Sequence, residues 1–161
     1  MMGRFGEKGD MVTEYHVTSQ ILEWLKKNDW EIVSYDYPQS GTGFALKPDG
    51  EQSKNKHSII PDIVCARRDI GLMFENKDRF DIGDFDKINA LRTTDIYRHS
   101  ISVLFGGKIP KKIWYGIGFP HSDSHLQKAH AELSKIDFLI TLMPDVNIKV
   151  YHNPNEIQFL R

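Results

Sequence analysis

Two apolar runs, residues 58–67 and 71–77, stand on either side of a short polar turn, and this pairing constrains the fold more than any other feature of the chain. Ile59, Ile60, Ile63 and Val64 in the first run, and Leu72, Met73 and Phe74 in the second, occupy both alternate positions. A strand that is apolar at both parities is covered on both of its faces. The chain is therefore expected to build a buried β-hairpin with helices on each side of its sheet.

The flanking sequence supplies those elements. Val17, Ile21, Trp24 and Leu25 recur at helical spacing over residues 13–27, and Asn28-Asp29 provides a stop. Glu14, three residues before Val17 and seven before Ile21, shares the same stripe. Residues 30–37 read as a strand ending at Pro38. Residues 84–98 read as a helix through Phe85, Ile88 and Leu91, with residues 101–105 open to helix or strand before Gly106-Gly107. Strands follow at 112–119 and 138–143, separated by an amphipathic helix over 122–136, and residues 148–151 add an edge strand. The order α-β-β-β-α-β-α-β is that of a mixed α/β sheet with helices on its faces.

The hairpin brings chemistry together. With a turn centred between Arg68 and Asp69, paired residues have numbers that sum to 137, and Asp62 stands opposite Glu75. Opposed residues of an antiparallel pair share a face, and Lys77 joins them because side chains alternate with period two. Two carboxylates this close repel when both are ionised and call for positive charge between them. Lys77 offsets part of that charge, and a divalent cation would offset the rest. Carboxylate oxygens from Asp62 and Glu75, with the carbonyl of Asn76 and several waters, suit Mg²⁺, or Mn²⁺ in its place, better than zinc. A bound ion of this kind acidifies water and neutralises a phosphate under attack, while the lysine holds or deprotonates the attacking water. Each residue type then has a place in phosphodiester hydrolysis.

Pro61-Asp62 followed, 13 residues after the aspartate, by Glu75-Asn76-Lys77 resembles the signature of the PD-(D/E)xK nuclease superfamily. The resemblance implies a restriction-endonuclease-like αβββαβ core over residues 13–119, with Asp62, Glu75 and Lys77 catalytic. It also implies a metal site made by Asp62, Glu75 and Asn76, with Glu14 approaching from the first helix. The glutamine that many members carry four residues before a tyrosine on the next helix is absent: Thr93 precedes Tyr97 here. The activity implied is a Mg²⁺-dependent endonuclease on DNA, as in a type II restriction enzyme or a related phage or repair nuclease. A structure-specific nuclease such as a Holliday junction resolvase, and a silent nucleic-acid-binding module of the same fold, are the alternatives.

Composition sets the remaining bounds. At 161 residues with 40% hydrophobic content, the chain fits one domain with a real core. Residues 1–10 are charged and glycine-bearing and are expected to be flexible. No run of about 18 apolar residues occurs, so a cytoplasmic protein without a membrane span is expected. The lone Cys65 excludes an internal disulfide and reads as a buried small hydrophobe. A net charge of −1 decides nothing about DNA, since local charge governs binding. Residues 38–57 form a long, glycine-bearing segment, functional or mobile, in which Lys47, Lys54, Lys56 and His57 are basic. Arg79, Lys87 and Arg92 continue that basic character beyond the signature and join these four as expected phosphate contacts. A homodimer is expected, because a duplex needs two active sites to be cut in both strands.

Three other signals weigh less. His121 and His125 lie four apart, but Ser122 stands where a His-Glu-x-x-His zinc hydrolase has its glutamate, so Ser122 or Asp123 is expected to cap a helix with the histidines solvated. Ser40-Gly41-Thr42-Gly43 lacks the lysine of a phosphate loop and reads as a turn. Trp114 and Tyr115 sit in an apolar strand and read as core rather than as base-stacking residues.

Overall fold

The computed structural model describes residues 12–38, 40–50 and 57–161. Helix α1 (Glu14–Lys27) opens with the Thr13 hydroxyl accepting from the His16 amide at 3.1 Å. It buries Val17, Ile21, Leu22 and Leu25, and closes where the Asn28 carboxamide donates to the Trp24 carbonyl. The antiparallel strands β1 (Glu31–Tyr35), β2 (Ile63–Arg67) and β3 (Ile70–Asn76) form a meander. Helices α2 (Ile82–Thr93) and α3 (Arg98–Leu104) lead to β4 (Lys112–Pro120), which lies parallel to β3. Helix α4 (Asp123–Ala129) and a 3₁₀ turn (His130–Lys135) lead to β5 (Phe138–Leu142), parallel to β4, and β6 (Ile148–His152) returns antiparallel along β5. The result is a six-stranded mixed sheet whose spatial order follows chain order.

The double parity of the central strands sorts side chains between two apolar layers. Ile63, Cys65, Leu72 and Phe74 pack with Val17, Ile21 and Leu25 of α1. Val64 and Met73 point the other way, into a layer with Phe85, Ile88 and Leu91 of α2. The β2–β3 register is Ile63↔Phe74 through Arg67↔Ile70, with Arg68 in the left-handed region at the turn, so the numbers sum to 137 as the hairpin predicts. Two glycines of β4 permit close approach. A Cβ on Gly116 would lie 2.2 Å from the Phe138 ring, and one on Gly118 would lie 2.7 Å from the Asn76 carboxamide oxygen.

Several expected boundaries move. The first hairpin strand begins at Ile63, and residues 58–62 lie outside the ladder, held by a bridge between Ile59 and Leu46 and by backbone hydrogen bonds of Asp62 to Phe74 and Asp36. The helix expected over 84–98 stops at Thr93, where the Thr93 and Thr94 hydroxyls bond back to the carbonyls of Asn89 and Ala90, and residues 101–105 belong to α3 and its end rather than to a strand. The helix expected over 122–136 tightens into a 3₁₀ turn at His130. Residues 40–50 of the long segment are anchored rather than loose. Leu46 is fully buried, and the Lys47 amide donates to the Ser100 hydroxyl of α3. Cys65 is buried, Tyr115 is nearly so, and Trp114 is half-buried with the Lys112 amine 4.5 Å from its ring centroid.

Candidate active site

The site lies at the end of the sheet where β3 leaves it. Asp62 precedes β2 at a bend, and the backbone departs from the ladder there. Its amide donates to the Phe74 carbonyl at 2.9 Å, and its carbonyl accepts from the Asp36 amide at 2.8 Å. The Asp62 carboxylate turns back instead and accepts the Asn76 amide at 2.7 Å, finishing β3 where its backbone partner has gone. Glu75 continues the Met73 side of β3, toward α2, and one of its oxygens accepts from the Lys87 amine at 2.7 Å. Asn76 faces the opposite way and donates from its carboxamide to the Thr18 hydroxyl of α1. The Lys77 amide is pinned to the Gly118 carbonyl, and its half-buried amine lies 3.8 Å from Asp84.

Burial governs the electrostatics. Asp62 is 6% exposed and Glu75 4%. Desolvation, against the Asn76 hydrogen bond, pushes the Asp62 carboxyl up to about 7, with the Glu14 charge adding to the rise. Desolvation and then the Asp62 charge push Glu75 up to about 8, against the pull of Lys87. Burial lowers the Lys87 amine, but Glu75 beside it holds the group above its ordinary value. Glu14 is half-buried, and desolvation raises it while Lys77 opposes the rise. One oxygen of Glu75 is buried with no hydrogen-bond partner among the described residues. An orphaned carboxylate oxygen is costly, and a cation or a proton relieves it.

The fold thus brings Asp62 and Glu75 together, with Glu14 acting on Asp62 through its charge and Lys77 nearer Glu14 and Asp84 than the pair. The Asn76 carboxamide is turned away to Thr18, and α2 adds two groups. Lys87, expected to contact phosphate, is the counter-ion of Glu75. Asp84 was not singled out in the sequence, yet it is buried, and one of its oxygens lacks a partner among the described residues. Desolvation raises it to about 6 against the pull of Lys77. The signal was present: Asp84 stands at helical spacing with Ile88 and Leu91, as Glu14 does with Val17 and Ile21. Its place near the helix start reads as a cap, but Asp81 caps α2 by accepting the Gly83 amide.

Apart from Arg79, whose charge acts on Glu14, the remaining basic residues do not reach this cluster. Arg92 bridges Asp137 at 3.1 Å and the Ser134 carbonyl at 2.6 Å, and Asp137 in turn accepts the Tyr115 amide. This network ties α2 to the start of β5 and takes Arg92 away from a phosphate role. Lys47 is exposed on the anchored segment, His57 is exposed with its carbonyl accepting from the Tyr97 hydroxyl, and Arg79 is exposed beside Asp78. Lys54 and Lys56 lie outside the described residues. Ser122 caps α4 as expected, but His121 and His125 are half-buried and hydrogen-bonded, not free in solvent.

No family model, curated protein or solved structure matches this chain significantly. The geometry alone must carry the reading. Among the described residues, no three His, Cys, Asp or Glu side chains converge closely enough to enclose a metal ion by themselves. A two-carboxylate site completed by waters and a backbone carbonyl is what Mg²⁺ takes, and the orphaned Glu75 oxygen fits that demand.

Proposed function

We propose that the chain is a divalent-metal-dependent nuclease acting on DNA, with a restriction-endonuclease-like core formed by α1, the β1–β3 meander, α2 and β4. The observation that carries this reading is the buried pair Asp62 and Glu75, held together at the end of β3 with an unpartnered carboxylate oxygen and a lysine two residues on. Asp62, Glu75 and the Asn76 carbonyl would hold Mg²⁺ or Mn²⁺, and Glu14 would reach it from α1. The metal, when bound, supplies Lewis acidity toward a phosphate oxygen and lowers the pKa of a bound water.

The chain's own groups do the rest. Asn76 fixes the orientation of the Asp62 carboxylate through its amide, and Lys87 does the same for Glu75. Lys77, half-buried with Asp84 as its near charge, would orient the attacking water and offset charge on the phosphate, the water's proton leaving to bulk solvent. Asp84 keeps the Lys77 amine turned toward the cluster. Lys47, His57 and Arg79 would meet the backbone of the DNA outside the reacting centre.

The test is cleavage of supercoiled, linear and four-way-junction DNA with and without MgCl₂ or MnCl₂. Metal-dependent hydrolysis that is lost in Asp62→Asn is expected. A duplex preference indicates a restriction or repair role, and a junction preference a resolvase. No hydrolysis on any of these substrates with either metal would overturn the proposal. A duplex cutter is expected to act as a homodimer, checked by sedimentation on DNA.

A further inference from the structure

Beside the carboxylates, a cavity of about 850 Å³ opens between the first turn of α1, the corner after β3 and the start of α4. His16, Asp78, Arg79, His121 and His125 contribute to its walls. Asp78 and Arg79 of this wall act through their charges on Glu14, so the cavity adjoins the cluster, although Glu14, Asp62, Glu75 and Lys77 do not line it.

The two histidines at its other side are held in fixed orientations. His125 Nδ1 lies 3.1 Å from the Pro120 carbonyl, which can only accept, so Nδ1 carries the proton and Nε2 the lone pair. The His125 ring also stands edge-on to Phe119. His121 Nδ1 lies 2.9 Å from the buried Thr141 hydroxyl, which again leaves Nε2 as the remaining polar atom. A helix-capping role for Ser122 accounts for neither bond. Two pinned imidazoles and an arginine around one cavity suit a phosphate ligand: the guanidinium offers N–H donors to its anionic oxygens, and an Nε2 lone pair can share the proton of a P–OH group. Asp78 is the acidic group in the same wall, and Arg79 neutralises it at 2.7 Å while keeping further N–H donors for a second partner.

We infer that this cavity is a nucleotide subsite that seats the sugar and phosphate next to the scissile bond, with His121, His125 and Arg79 facing the phosphate. The assignment of the scissile bond rests on the nuclease reading, whereas binding at the cavity does not. The whole chain, labelled in its histidines and free of metal, is titrated with thymidine 3′,5′-bisphosphate, inorganic phosphate and thymidine while the imidazole nitrogens are followed by NMR. Saturable shifts of His121 and His125 with the bisphosphate are expected, with Nε2 moving toward the protonated position. Arg79→Ala, at an exposed position, and His125→Gln are each expected to weaken binding at least fivefold, and Asp62→Asn to leave it intact. Silent histidines at saturation, unchanged affinity in Arg79→Ala, or equal affinity for inorganic phosphate would overturn the subsite. Histidine shifts without cleavage of any DNA would support the subsite and sink the nuclease; cleavage with silent histidines would do the reverse.

Discussion

Replacing Asp62 by asparagine is expected to stabilise the metal-free protein while abolishing its response to metal. In the folded chain the Asp62 and Glu75 carboxyls are raised to about 7 and about 8 from ordinary values of 3.8 and 4.5. The folded state therefore binds more protons than the unfolded state through that interval, and the stability these groups contribute falls as pH rises from about 4 to about 8. Raising a carboxyl that far corresponds to about 4 kcal/mol, an upper bound that relaxation and water entry reduce to about 1–3 kcal/mol. The asparagine side chain would keep an oxygen for the Asn76 amide and remove the like charge. The variant should then melt about 2–10 °C above its parent near pH 8 and within about 2 °C of it near pH 5, where the pair is already protonated. Excess MgCl₂ should raise the melting temperature of the parent near pH 8 and leave the variant unmoved, because a ligand that binds only the folded state stabilises it. Thermal unfolding followed by circular dichroism at both pH values, with and without metal, reads all four outcomes. A variant no more stable than its parent in the metal-free alkaline sample would refute the repulsion between the two carboxyls, and a metal response kept in full would refute the ligand role.

Other substitutions probe separate links. Lys77→Ala should lose DNA cleavage yet change unfolding free energy by less than about 1 kcal/mol, since its close charge among the described residues is Asp84 at 3.8 Å; cleavage at the parental rate would remove it from the chemistry. Arg92→Ala should cost about 2 kcal/mol in urea unfolding by leaving Asp137, buried and bound to Tyr115, without its counter-charge. Gly116→Ala should destabilise by about 3 kcal/mol or prevent folding, because the Phe138 ring occupies the place of the new methyl; a soluble variant with the parental melting point would contradict the close packing of β4 and β5.

The central hairpin was legible because its two rules reinforce each other. An even turn fixes the register, and apolar residues at both parities demand cover on both faces, so Val64 and Ile63 had to find different helices. Glu14 was legible for the same reason, since a carboxylate on an apolar stripe has to meet something polar. Asp84 carries an identical signal but is masked by the preference of acids for the first turn of a helix. Lys87 and Arg92 could not be told apart by charge. Both lie on α2, and only the packing of that helix sends one to Glu75 and the other to Asp137. The bend at Asp62 was illegible too, because the strand pattern continues through residues 58–62 while the backbone leaves the ladder.

Charge balance gives the proposed metal its physical basis. Glu14, Asp62, Glu75 and Asp84 act on one another through their charges, and the lysines acting on the same set are Lys77 and Lys87. Fully ionised, those four acids and two amines leave two negative charges, and Asp36, Asp78 and Asp81 against Arg79 add two more around them, in a place where α1 and α2 bring carboxylates from opposite faces of the sheet. Without metal, the raised values of Asp62, Glu75 and Asp84 mean that protons meet part of that excess. One divalent cation would replace them. Metal uptake near neutral pH should therefore release protons, and the same burial that makes these carboxylates costly on their own is what would make them bind.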